Sequence, residues 1–92
     1  MQGRQPNPVF SDEYQLLREI LVEARQAAGV SQRRLGARIG ETASHVCMIE
    51  TGQRRIDTLE FYKVARSVGV EPVALFERLS ARLDGLAKAG EA

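Results

Sequence analysis

Cysteine occurs once in 92 residues, at Cys47, so no internal disulfide can staple this chain. Uninterrupted apolar runs stop at three or four residues, as in Ile20–Val22 and Val73–Phe76, whereas a bilayer span needs about 20. No membrane association is therefore expected. The N-terminus lacks the charged, apolar and small-residue succession of a secretion signal, so a cytoplasmic location is predicted. Strand signals are missing too. No Asn-Gly or Asp-Gly turn separates two alternating runs, and there is neither an internal repeat nor a low-complexity tract. Catalytic machinery is equally scarce: no paired carboxylates, no glycine-rich phosphate loop and no nucleophile beside a base are found. Neither enzymatic activity nor a cofactor is expected.

What is present suffices for one small fold. Leu, Ile, Val and Phe make up 24 of the 92 residues, above the fraction of about 20% below which a chain cannot order itself, and the length allows a single domain. The net charge of +1 conceals a division. Between Ser31 and Arg55, five arginines (Arg33, Arg34, Arg38, Arg54, Arg55) oppose only Glu41 and Glu50, leaving +3 there and −2 elsewhere. A basic centre suits a polyanionic partner.

Periodicity and capping signals predict five helices, at about 12–28, 32–39, 43–51, 58–68 and 72–87, in a domain covering 11–88. Residues 1–10, with Pro6 and Pro8, and residues 89–92 are expected to be flexible. Ser11, Ser31, Thr42 and Asp57 stand where side-chain oxygens can cap the first four helices, with Asp57 and Glu60 spaced as a capping box. Pro72 suits the first turn of the fifth. Leu59, Val64, Ala65 and Val68 are expected to face inward on the fourth helix.

The informative stretch is Gln32–Thr51, two short helices joined by a tight turn. Such a hairpin needs apolar residues beneath the crossing, here Leu35, Ile39, Val46 and Ile49. It also needs a small residue at the crossing, Gly36, and one tolerant of positive φ in the turn, Gly40. Glycine inside a helix costs up to ~1 kcal/mol relative to alanine, so Gly36→Ala is expected to raise thermal stability. Residues 14–80 resemble the helix-turn-helix domain of the Cro and phage-repressor (Xre) family. The likeness rests on Arg25-x-x-x-Gly29-Val30-Ser31-Gln32, on Ile49-Glu50-Thr51-Gly52-Gln53-Arg54 beside the family's I-E-x-G-x-R, on Val64-Ala65-x-x-x-Gly69-Val70, and on Leu75-Phe76.

The resemblance implies an all-α, five-helix, lambda-repressor-like domain with an extended C-terminal helix, whose third helix enters the major groove of double-stranded DNA. It assigns base reading to Thr42, Ala43, Ser44, Cys47 and Met48. Phosphate contacts fall to Gln32, Arg33, His45, Thr51, Gln53, Arg54 and Arg55, with Gln32 also bracing the third helix. Glu50 is placed opposite Arg25 as a structural ion pair. This sequence departs from more readable relatives, because its groove face carries no Arg, Lys, Asn or Gln to bind guanine or adenine bidentately. Thymine methyl contacts, hydroxyl hydrogen bonds and DNA shape are left to supply specificity. Cys47 and His45, two apart on a helix, point about 200° apart and form neither a dyad nor, as two ligands, a zinc site.

On the fifth helix, Phe76, Leu79, Leu83 and Leu86 follow one another at spacings of three, four and three. That stripe fits a homodimer interface, which would set two recognition helices about 34 Å apart, or else a long helix folded onto its own domain. The function expected is a dimeric, sequence-specific transcriptional repressor on a pseudo-palindromic operator within the nucleoid. The alternative is an antitoxin or bridging protein whose C-terminal helix binds a partner protein.

Overall fold

The computed structural model describes residues 11–91 and holds five helices: α1 (Asp12–Ala27), α2 (Gln32–Ile39), α3 (Ala43–Glu50), α4 (Thr58–Ser67) and α5 (Pro72–Glu91). No strand occurs among the described residues. The expected arm at residues 1–10, like residue 92, lies outside them. Helix α5 runs to Glu91, past the expected end near residue 87, through the good helix formers Ala87, Lys88 and Ala89. No helix is long and apolar enough to cross a membrane among the described residues.

Each of the first four helices begins where a short polar side chain captures an otherwise unpaired amide. Ser11 Oγ accepts from the Tyr14 N–H at 3.1 Å, Ser31 Oγ from Arg34 at 3.0 Å and Thr42 Oγ1 from His45 at 3.0 Å. Asp57 and Glu60 exchange both capping-box bonds. Short helices such as α2 and α3, eight residues each, are marginal alone and depend on burying one face. They do so together, with α2 against α3 and α4 while α1 lies against α5, α3 and α4. The shared core is Ile20, Leu21, Ala24, Val30, Leu35, Val46, Ile49, Val64, Ala65, Val68, Leu75 and Leu79.

Three expectations are overturned here. Gly36 sits at the α2–α3 crossing, where a Cβ would lie 2.8 Å from the Thr42 carbonyl oxygen and 2.9 Å from that of Glu41. These are backbone atoms with little freedom to retreat, so alanine at this position is expected to destabilise the fold. Leu79 is not a free interface residue: it is 7% exposed and belongs to the core. Leu75 and Leu79, one turn apart, take the inward arc of α5, and Phe76, about 100° away from Leu75, is left 55% exposed. Leu59, finally, is 70% exposed. Val64, Ala65 and Val68 define the inward arc of α4, and Ile56 and Phe61 pack against the core near its start.

Candidate nucleic-acid interface

Helix α3 presents the start of its first turn fully to solvent and buries one side of the remainder. Its inward side is His45, Val46 and Ile49, while Thr42, Ala43 and Ser44 at the N-terminal end are exposed and Cys47 and Met48 half-buried. Gly40 closes α2 with φ +77°, a left-handed conformation that glycine adopts without a Cβ penalty. The Glu41 amide then donates to the Gly36 carbonyl at 2.7 Å, so backbone bonding sets the turn that aims α3.

The C-terminal end of α3 is held by Glu50. Its Oε2 accepts from Arg25 Nε at 2.6 Å, and its Oε1 from Arg25 Nη2 at 3.0 Å and Gln32 Nε2 at 2.8 Å. Arg25 also donates to the Val30 carbonyl at 2.9 Å, joining α1, the α1–α2 turn and α3 at one guanidinium. Both side chains of the ion pair are largely buried, at 12% and 7% exposure. Charge-assisted, bidentate bonding of this kind is what makes a buried carboxylate tolerable. Gln32 thus touches Glu50, and so α3, with one amide hydrogen.

Two supports were absent from the sequence-based expectations. Arg18 Nη1 donates to the Glu50 backbone carbonyl at 3.3 Å, satisfying an acceptor that a helix end leaves open. The Tyr14 hydroxyl accepts from the Ile56 N–H at 2.7 Å, pinning the segment after α3 to α1. Both partners lie more than thirty positions away in sequence, and neither residue type announces such a role. A helical period could have placed Tyr14 and Arg18 together, four apart on one face of α1.

His45 was expected to meet a phosphate and does not face outward. It is 8% exposed, with Nε2 2.9 Å from Glu60 Oε2 and Nδ1 3.3 Å from Glu41 Oε1. Two carboxylates would repel a phosphate there, so His45 is withdrawn from the candidate contacts. Thr51 spends its hydroxyl proton on the Cys47 carbonyl at 2.9 Å and accepts from Gln53 Nε2 at 3.2 Å. Around this helix Arg33, Arg34, Arg54 and Arg55 are exposed, and Ser31, Arg33, Arg34 and Ala37 line a recess on α2. Arg38 is turned aside, donating to the Ser67 carbonyl at 2.7 Å. An exposed short helix flanked by guanidinium groups and clamped from behind matches what an anionic duplex requires of a protein surface.

Comparison with known proteins agrees with this geometry. A helix-turn-helix family model matches residues 21–75. Four chains of solved structures match as well. Among them is an XRE-family like protein from Pseudomonas syringae pv. tomato str. DC3000, 43% identical, with a TM-score of 0.72 over 76% of this chain and 85% of that one. No curated protein sequence matches.

Proposed function

This chain belongs to the XRE-type helix-turn-helix family of DNA-binding transcriptional regulators, and on that premise we propose that it is a homodimeric repressor reading a pseudo-palindromic operator. The observation that carries the reading is the exposed first turn of α3, Thr42–Ser44, on a helix whose far end is clamped through Glu50. In this proposal Thr42, Ala43, Ser44, Cys47 and Met48 meet base edges. The small and apolar side chains press on thymine methyls, while the hydroxyls of Thr42 and Ser44 donate or accept. Arg33, Arg54, Arg55 and Gln53, with the remaining amide hydrogen of Gln32, engage phosphates and fix register. Each phosphate neutralised releases counterions, so affinity falls with salt at about 0.9 logarithmic units per contact. Such a protein would work in the cytoplasm on the nucleoid.

Dimerisation is proposed through α5, where Phe76 and Val73 are exposed on the outer face, while Leu83, packed against the core, and Leu86 are half-buried. The deciding experiment is selection of the full chain against a random duplex library, followed by footprinting of the best site. The expected result is one symmetric site preferred over random duplex by ~10³-fold or more. Equal binding to all duplexes at low ionic strength would refute the proposal. A second reading draws on exposed apolar side chains, Leu59 and Tyr62 of α4 and Val73 and Phe76 of α5: an antitoxin or bridging protein that uses Phe76 and its helix for another protein. A partner of fixed stoichiometry, released by Phe76→Glu without loss of fold, would favour it.

A further inference from the structure

His45 is the one histidine of the chain, buried in the first turn of α3, and each of its ring nitrogens faces a carboxylate. Glu41 belongs to the turn before α3 and Glu60 to the first turn of α4, so three elements converge on one imidazole. Among the described residues, neither carboxylate has an ion-pair partner other than His45. A neutral imidazole carries a single N–H. It can satisfy one of these carboxylates, and the other then meets a ring lone pair. Two arrangements relieve this conflict: a second ring proton, which gives each carboxylate its own donor, or a metal ion that takes one ring nitrogen and gathers both carboxylates.

We propose that Glu41, His45 and Glu60 form a binding site for a divalent transition-metal ion of the zinc class. Imidazole plus carboxylate oxygens is a donor set such ions accept, and three protein ligands leave a position for water. One oxygen or nitrogen from each residue already lies within 4.8 Å of the others. The 3.3 Å between Glu41 Oε1 and His45 Nδ1 is long for a charge-assisted hydrogen bond. It equals the spacing of about 3.3 Å between two ligands bound tetrahedrally at zinc distances. Closure requires the Glu60 carboxylate, 2.9 Å from Nε2, to turn toward the same ion. Its side chain is partly exposed, and its other oxygen accepts from the Asp57 N–H at 3.2 Å, which keeps the carboxylate near the site.

Binding would fasten the reading end of α3 to α4, just as Glu50 fastens the other end to α1. That consequence rests on the DNA-binding reading, whereas occupancy does not and is tested without DNA. Metal-stripped full-length protein is titrated with zinc chloride by calorimetry and followed by thermal unfolding and by the imidazole resonances of the single histidine. The expected result is one ion per chain, shifted His45 resonances, and a Tm raised by about 10 °C at a hundredfold excess over Kd. Glu41→Gln, at an exposed position, should fold normally and weaken binding by no less than the ~10-fold that loss of an outer-shell partner costs. Cys47→Ala should leave binding unchanged. No zinc effect at millimolar concentration would overturn the proposal and leave the trio a hydrogen-bonded joint alone. So would an effect that survives Glu41→Gln or is abolished by Cys47→Ala.

Discussion

Two arginine–glutamate bridges in this protein share nearly the same geometry and differ in everything around them. Arg25 and Glu50 meet through contacts of 2.6 and 3.0 Å, as do Arg82 and Glu23. The first pair is 12% and 7% exposed, the second 33% and 49%. Removing one partner of a buried pair strands the other charge away from water and is strongly destabilising, whereas an exposed pair is screened and contributes ~0–1 kcal/mol. The surface bridge still perturbs its members. The hydrogen bond from Arg82 holds the Glu23 carboxyl below the usual carboxylate range against a weaker opposing effect of burial, and Glu23 in turn raises the Arg82 guanidinium. Environment, then, separates a clamp from an ornament, and the clamp is the one behind α3.

Substitutions can break or sharpen that contrast. Glu50→Ala leaves Arg25 and Gln32 facing a void and should cost ~3–5 kcal/mol, read by urea or thermal unfolding; a loss under ~1 kcal/mol would erase the distinction between the two bridges. The same inside–outside comparison on α5 pairs Leu79→Ala, expected to cost ~2–5 kcal/mol, with Phe76→Ala, expected within ~0.5 kcal/mol in the monomer. Gly36→Ala should destabilise by ~1–3 kcal/mol, and a rise in Tm would show that the crossing can open for a methyl. Arg54→Ala should leave stability unchanged and lower the salt dependence of DNA affinity by about one ion, uniformly across sequences. The smallest effect belongs to Glu23→Gln, at most ~1 kcal/mol near pH 7. Because the folded-state pKa of Glu23 is depressed, this contribution is present above the ordinary carboxylate range and lost as pH falls through it. The Tm gap between wild type and Glu23→Gln should therefore narrow as the solution is acidified below the ordinary carboxylate range; a gap that widened would mean a raised, not depressed, Glu23 in the folded state.

Much of the scaffold was legible because it is local. Ser11, Ser31, Thr42 and the Asp57–Glu60 box act on amides three residues away, so sequence spacing alone locates four helix starts. The Glu50 clamp entered through family resemblance, since nothing local pairs it with Arg25. Direction around a helix was harder to read. Apolar residues at 75, 76, 79, 83 and 86 cover more of α5 than its neighbours can bury, and periodicity does not say that Leu79 turns in while Phe76 turns out. His45 escaped because a polar residue near a helix start ordinarily faces solvent. Glu41, four residues before it, was a visible cue, but Glu60 reaches it only through the packing of α4 on the α2–α3 hairpin. Gly36 misled for a related reason: propensity scales weigh the helix by itself, and here the decisive atoms belong to the next turn of chain.

The backbone contact at Gly36 also bears on redesign. Since main-chain atoms hold the tilt of the third helix, its outward residues are interchangeable passengers on a fixed mount. Grafting new side chains at positions 43, 44, 47 and 48 should retarget the molecule without re-engineering its frame, whereas any insertion between Gly36 and Thr42 would spoil every such graft at once.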